Sequence, residues 1–211
     1  MPSPGSTPAQ PGRRPRGRPG HDRAAVLRRA IALFNVQGYD ATSVSDLAAD
    51  LGVTKSAVYH HFASKEDILA AALDEALTEL DALVAAAQAA SDRSARERLE
   101  ETVVAAVGIL VEHRAAVTLL LRVRGNSAVE QAALARRRHI DAALAALVVE
   151  AVDEGDVRAD VPAEVISRLV FGMVNSLTDW YEPGGRSGPA ALAAAVRGVL
   201  FEGLGARSRV S

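Results

Sequence analysis

An all-α fold is what three observations on this 211-residue sequence predict. Aromatic residues make up only 4% of the chain while alanine abounds, and alanine favours helices whereas strands prefer aromatic and β-branched residues. Apolar residues recur with a helical period in segment after segment, and no alternating run of useful length interrupts them. Many of these segments open on Ser with an acid three residues on, the pattern of a capped helix start. Hydrophobic residues at 49% and charged residues at 24% allow a sizeable core. The length admits one domain, or a small head on a larger body.

The elements follow in order. Residues 1–20 hold six of the nine prolines and four of the sixteen glycines without apolar periodicity, and read as a disordered basic arm. From Asp22 onward, Leu27, Ile31 and Phe34 recur at helical spacing until Gly38. Val44, Leu47, Ala48 and Leu51 match the i, i+3, i+4, i+7 template, with Thr42 and Ser43 as N-cap hydroxyls, Asp46 three after Ser43, and Gly52 as the stop. A short helix is expected from about Thr54 to Phe62. Ser64 with Asp67 opens a long helix reaching about Ala90, striped by Ile68, Leu69, Leu73, Leu77, Leu80 and Val84. Ser94 with Glu97 and Ser127 with Glu130 are two more capping boxes, each opening an apolar-periodic run. Asp160 before Pro162 marks a further start, and Ser187 with Pro189 repeats that signature. The sum is about nine helices, divided into an arm (1–20), a head (21–68) and a body (69–211).

Composition excludes several functions. The sequence has no cysteine, which removes disulfides, thiolate catalysis, iron–sulfur clusters and cysteine zinc sites. Its five histidines show neither an HExxH nor a His-x-x-x-His spacing, so no metal site and no cofactor are expected. With no phosphate loop, nucleophile elbow or paired-carboxylate site, an enzyme is not expected either. Glu100-Glu101, Asp153-Glu154 and Arg136-Arg137-Arg138 read as solvated helix faces, the arginines alternatively as a second basic patch. No apolar run reaches membrane-span length and none lies in the first twenty residues, so a cytoplasmic protein without membrane association is expected. The net charge is −2, but residues 1–70 carry nine basic and six acidic groups against fifteen and twenty in the remainder. A basic end on an acidic body suggests that one end meets a polyanion.

Residues 42–62 combine helix, glycine turn and helix. The second helix presents Lys55, Ser56, Tyr59 and His60 together, because 55/59 and 56/60 are i, i+4 pairs. That face is rich in donors and free of acid, as a helix lying in a major groove must be. The same spacing also fits an ordinary αα-hairpin with a solvated polar face.

The residues themselves carry a resemblance. From Gly38-Tyr39 through Thr42-Ser43-Val44-Ser45-Asp46-Leu47-Ala48, the Leu51-Gly52-Val53 turn and Tyr59-His60-His61-Phe62 to Ser64-Lys65-Glu66, the sequence resembles the signature of TetR-family transcriptional repressors. The match covers roughly residues 22–70, and the rest is similar in helix count and length. Leu47 stands where isoleucine is commoner and Ser56 where glycine or proline is commoner, departures that bear on base preference. The resemblance implies that Thr42 and Ser43 hold phosphate at a helix start. It also implies that Ser45, Thr54, Lys55 and Ser56 face base edges, Lys55 having the reach and charge for guanine. Tyr59, His60 and Lys65 would grip phosphates, while His61 either joins them or packs against the first helix. In the arm, Pro15-Arg16-Gly17-Arg18-Pro19 resembles the core of an AT-hook, which implies that Arg16 and Arg18 enter an A·T minor groove; the alternative is a solvated basic tail.

In the body, the segments from Pro162 to Tyr181 and from Pro189 to Leu204 are apolar on more than one face and so call for two partners. Leu169, Met173, Leu192, Val196 and Val199 are the expected isologous interface of a homodimer, as in TetR-family proteins; the alternative is a fully internal core pair. Gly172-Met173-Val174-Asn175 and Trp180-Tyr181-Glu182-Pro183-Gly184-Gly185 are similar to TetR-family regulators of fatty-acid, steroid and phenylacetate catabolism, whose effectors are acyl-CoA thioesters. Ser176 replaces the aromatic residue often found there. An apolar cavity lined by Val103, Val107, Leu110, Leu120, Leu144 and Phe171, with Asn175, would take an acyl chain, and Arg122 and Arg124 would pair with CoA phosphates. An uncharged hydrophobic ligand would not need the arginines. The resemblance implies a ligand-responsive repressor that binds a palindromic double-stranded operator as a dimer, with heads ~34–36 Å apart. The rival is an architectural DNA-binding protein without an effector.

Overall fold

The computed structural model describes residues 22–185 and 187–204, and among these it contains nine α-helices and no strand. They are α1 (Arg23–Gln37), α2 (Val44–Leu51), α3 (Lys55–Tyr59), α4 (Lys65–Ala89), α5 (Ala95–Glu112), α6 (Arg114–Arg122), α7 (Ala128–Asp153), α8 (Ala163–Trp180) and α9 (Pro189–Glu202).

Local chemistry starts the first four. Asp22 accepts from the Ala25 N–H at 2.7 Å and opens α1. Ser43 and Asp46 close a reciprocal capping box around the start of α2, which satisfies two orphan donors. The turn to α3 depends on Gly52, whose left-handed φ of 65° sends its N–H back to the carbonyls of Ala48 and Ala49. Helix α3 is shorter than the sequence predicts: after Tyr59 the chain tightens into a turn that buries Phe62 in the core. Ser64 then caps α4, which runs unbroken from the head into the body.

The body departs from expectation at three places. The run opened by Ser94 is two helices, because α5 and α6 meet at His113 with a bend of 96°. Neither glycine nor proline lies between residues 109 and 122, so nothing local breaks the helix. The bend is held from outside. Asn35 Nδ2 donates to the Ala115 carbonyl at 2.8 Å, and Arg114 donates to the Thr178 carbonyl at 2.9 and 3.2 Å. Second, the Ser127–Glu130 box is only half formed, since Ser127 caps α7 while Glu130 turns back to the preceding loop. Third, Asp160 does not open α8. It pairs with Arg158, and the helix starts at Ala163 after Pro162 without a side-chain cap. At α9, Gly188 takes the cap position expected of Ser187, with Pro189 in the first turn.

Two buried apolar clusters organise the packing, and Phe171 touches both. One gathers the head and its supports, with Phe34, Leu47, Val58, Phe62, Ile68 and Leu69 reaching Leu119 and Leu120 of α6. The other is the body core, built on Leu99, Val107, Leu147, Val148, Leu177 and Val196. Each fully buried Leu or Phe contributes about 1.5–3 kcal/mol relative to an exposed one. Arg136, which the sequence reads as solvated, instead ties α7 to α4 through Asp74 and Asp81, the latter at 2.7–2.8 Å. Among the described residues no single helix is long and apolar enough to cross a membrane.

Candidate DNA-binding head and effector cavity

Helix α3 is fixed from below by buried Val58 and Phe62, so its remaining face is turned outward. Lys55, Ser56, Tyr59 and His60 are all exposed on it, and Thr54 sits exposed at its start. Thr54 Oγ1 accepts from the Ala57 N–H and lies 3.1 Å from Ser56 Oγ, which couples the two hydroxyls. The rings of His60 and His61 meet edge-on at 5.3 Å, with His61 half-buried. Ser45 is half-buried on α2. The angle between α1 and α2 is pinned by a two-pronged pair between Arg29 and Asp50, one bond of which is 2.6 Å; no local pattern in the sequence signals it. That hydrogen bond holds the Asp50 carboxyl below its ordinary pKa.

Three of the residues expected to hold phosphate are placed differently. Thr42 is 1% exposed and donates inward to the Gly38 carbonyl at 2.8 Å, so its hydroxyl locks the α1–α2 loop and offers nothing to a phosphate. Ser43 is exposed, but its hydroxyl and N–H are both engaged by Asp46, whose pKa these bonds lower. The donors at this helix start are therefore the N–H groups that the capping box does not take. Lys65 is half-buried, with its ammonium 4.1 Å from the Tyr39 ring centroid and 3.4 Å from the Asp40 carbonyl. It fastens the loop to α4 rather than reaching into solvent. Burial, helped by Glu66 and Asp40, pushes the Tyr39 hydroxyl up to about 12. Arg16 and Arg18 lie outside the described residues.

The expected effector residues do not form one site. Val103, Leu144 and Phe171 do meet, in an apolar seam between α4, α5, α7 and α8 whose cavity is about 20 Å3. That is room for about one water and no more. Val107 and Leu110 pack elsewhere in the body core, and Leu120 belongs to the cluster joining body to head. Arg122 and Arg124 are a correction. They border a separate cleft of about 350 Å3 between the ends of α1 and α6, and Arg122 donates to the Asn35 carbonyl at 2.6 Å. Closeness in sequence to an apolar run does not say which way a helix end faces. Asn175 instead lines a groove of about 540 Å3 between α7 and α8, together with Arg137, Arg138 and Arg168. This groove reaches Phe171, the residue that also borders the seam. Sequence reasoning misses these arginines as a group because they come from two helices. Asp141 lies among them; burial raises its pKa, against the pull of Arg137 and Arg168.

The apolar face of α8 and α9 also divides. Leu192 and Val196 are buried against the protomer's own body core, which corrects their assignment to a subunit interface. Leu169 is 64% exposed and Val199 38% exposed, and Met173, one turn after Leu169, is half-buried. Val165 and Trp180, both exposed, extend the α8 stripe at helical spacing.

Comparison with known proteins agrees with this architecture. Residues 26–72 match the family model described as bacterial regulatory proteins, tetR family, and residues 92–204 match that of the tetracyclin repressor-like C-terminal domain. The HTH-type transcriptional repressor KstR2 of Mycobacterium tuberculosis is 28% identical over 198 residues, covering 86% of this chain and 94% of that protein. SCO3833, a TetR-family member from Streptomyces coelicolor, superposes with a TM-score of 0.76 at 42% identity, covering 86% of this chain and 91% of that one. AibR, solved in complex with isovaleryl coenzyme A and operator DNA, shares the fold with a TM-score of 0.71 at 24% identity, over 85% and 97% of the two chains. A helix-turn-helix head on a helical body, matched in both halves, leaves one conclusion: the chain belongs to the TetR family of DNA-binding transcriptional regulators.

Proposed function

We propose that this protein is a repressor that binds a palindromic double-stranded operator as a homodimer and is released by a small hydrophobic effector, an acyl-CoA thioester. Residues 21–68 serve as the DNA-binding head and residues 69–211 as the dimerisation and effector body. The observation that carries the reading is the outward, acid-free face of α3, with Lys55, Ser56, Tyr59 and His60 exposed together. Ser45 and Thr54 flank that face, and Lys55 reads a base edge. Similarity to the repressor KstR2 supports repression, and AibR illustrates a protein of this fold that takes both an acyl-CoA and operator DNA. Arg16 and Arg18 extend the contact into an adjacent minor groove.

The dimer face is the α8 stripe of Val165, Leu169, Met173 and Trp180 with Val199 of α9, an exposed apolar surface of the kind that marks subunit contacts. The effector's apolar part enters the seam at Val103, Leu144 and Phe171, which must open to admit it. Its anionic part rests in the neighbouring groove, where Arg137, Arg138 and Arg168 outnumber Asp141 and Glu164. A ligand that binds only the opened body shifts the population away from the conformation that fits the operator.

Titrating acyl-CoAs of graded chain length, and the matching free acids, against the protein–operator complex tests the reading. Release by CoA esters, weakened in Arg168→Ala, is the expected result. Release by the free compounds alone replaces the acyl-CoA with an uncharged or simple acid effector. Sequence-independent binding with a steep salt slope and no release would make the protein architectural.

A further inference from the structure

At the bend between α5 and α6, a side chain of α4 meets two consecutive ones from a segment more than thirty residues away. Glu79 of α4, Glu112 at the end of α5 and His113 at the corner each offer a ligand atom, and these atoms all lie within 4.8 Å of one another. His113 Nε2 is already 2.9 Å from Glu79 Oε1. The histidine ring is largely covered, at 19% exposure, whereas both carboxylates are exposed and able to adjust. We propose that His113, Glu79 and Glu112 form a divalent transition-metal site that clamps α4 to the α5–α6 corner.

The chemistry favours an ion over a plain pair. A histidine–carboxylate contact needs one acid, yet here a second carboxylate stands near the same imidazole, and a divalent cation neutralises both acids where an imidazolium neutralises only one. The neighbouring guanidinium does not supply it, because Arg114 is turned to the Thr178 carbonyl. One imidazole with two carboxylates suits Zn2+, Ni2+ or Cu2+, while Mg2+ and Ca2+ prefer oxygen ligands alone. Metal–ligand bonds of about 2.0–2.2 Å place tetrahedral ligand atoms about 3.3 Å apart. The site is thus within about 1.5 Å of working geometry, a distance that an exposed carboxylate covers by changing rotamer. Three protein ligands leave a position for water.

His-x-x-x-His spacing cannot reveal this site, since tertiary packing brings Glu79 to the adjacent pair Glu112-His113. Its position gives an ion leverage on the fold. Helix α4 starts six residues after α3 ends, and α6 packs on the head cluster. A bound ion therefore fixes the corner relative to the helix that carries the head, and operator affinity should depend on metal.

The test uses untagged, metal-free, full-length protein titrated with Zn2+ by calorimetry and with Co2+ by visible absorption. One ion per protomer is expected, with affinity at least about tenfold weaker in His113→Ala and in Glu79→Gln. Glu112→Gln, at an exposed position, keeps the test valid if either of the others fails to fold by circular dichroism. His60→Ala and His61→Ala should bind as the parent does. Absence of saturable binding overturns the proposal. So does binding that survives His113→Ala, or that disappears with His60 and His61.

Discussion

Glu130 Oε2 accepts the N–H of Gly125 at 2.8 Å. The N–H groups of Arg124 and Asn126 reach the same oxygen at 3.0 and 2.9 Å, so one buried carboxylate organises the entire α6–α7 loop. Gly125 has φ 88°, and a Cβ there would also press on Leu134 at 3.3 Å. Loop and acid are matched to each other.

Glu130→Ala should therefore destabilise the protein by about 1–3 kcal/mol in denaturant titrations, because three part-buried N–H groups lose their shared acceptor. Burial pushes the Glu130 pKa up, but the three backbone donors outweigh it and hold the group below its ordinary value. A depressed folded pKa contributes stability that is full above the unfolded value of about 4.3 and fades as pH falls through the folded one. The parent should lose this part of its stability below about pH 4, and Glu130→Gln should not. An unchanged pH profile in Glu130→Gln removes the carboxylate from this role.

On the head, Tyr59→Ala should weaken binding to all operator variants alike, by removing a phosphate anchor. Lys55→Ala should also relax preference at one base pair, by about 1–3 kcal/mol. Fluorescence anisotropy over a set of single-base operator variants separates the two. Parent-like behaviour in both mutants would remove α3 from the groove.

Deleting residues 1–20 should lower operator affinity and flatten its salt dependence, by up to about 0.9 in log–log slope for each phosphate no longer neutralised. Thermal stability should not change. A slope equal to that of the full chain would make Arg16 and Arg18 bystanders.

The two halves of the α8–α9 apolar face give opposite forecasts. Leu169→Asp should yield folded monomers in sedimentation, since its side chain is exposed in the single chain. Val196→Asp should unfold the body, because it would bury an unpaired carboxylate in the core. Dimers that survive Leu169→Asp would place the interface on another surface.

What can be read from the sequence follows from how local its causes are. The head is legible because its helices begin at Asp22, Ser43, Thr54 and Ser64, each capped within three residues, and turn at Gly52. Apolar spacing in the body yields helices but not their facing. Leu192, Val196 and Val199 lie at helical spacing, yet two point inward and one outward, a choice made by packing on α5. The corner at His113 is illegible for the same reason, since Asn35 and Thr178, which hold it, are about 65–80 residues away. Arg122 follows an apolar run, which points it toward the cavity on sequence grounds, whereas the bend carries it to Asn35.

Helix α4 is 25 residues long and belongs to both halves of the molecule. At 1.5 Å per residue it is a rod of about 37 Å, with α3 mounted near one end. Pivoting such a rod by about five degrees at its far end sweeps the near end through about 3 Å, close to the ~3.4 Å step between base pairs. In the proposed homodimer, two such rods swinging symmetrically would double the error in their spacing. On the proposed function, an opening of the seam that tilts α4 by only these few degrees would be amplified into a mismatch of nearly two base pairs, so a cavity with room for a single water in the closed state could still control a grip on DNA.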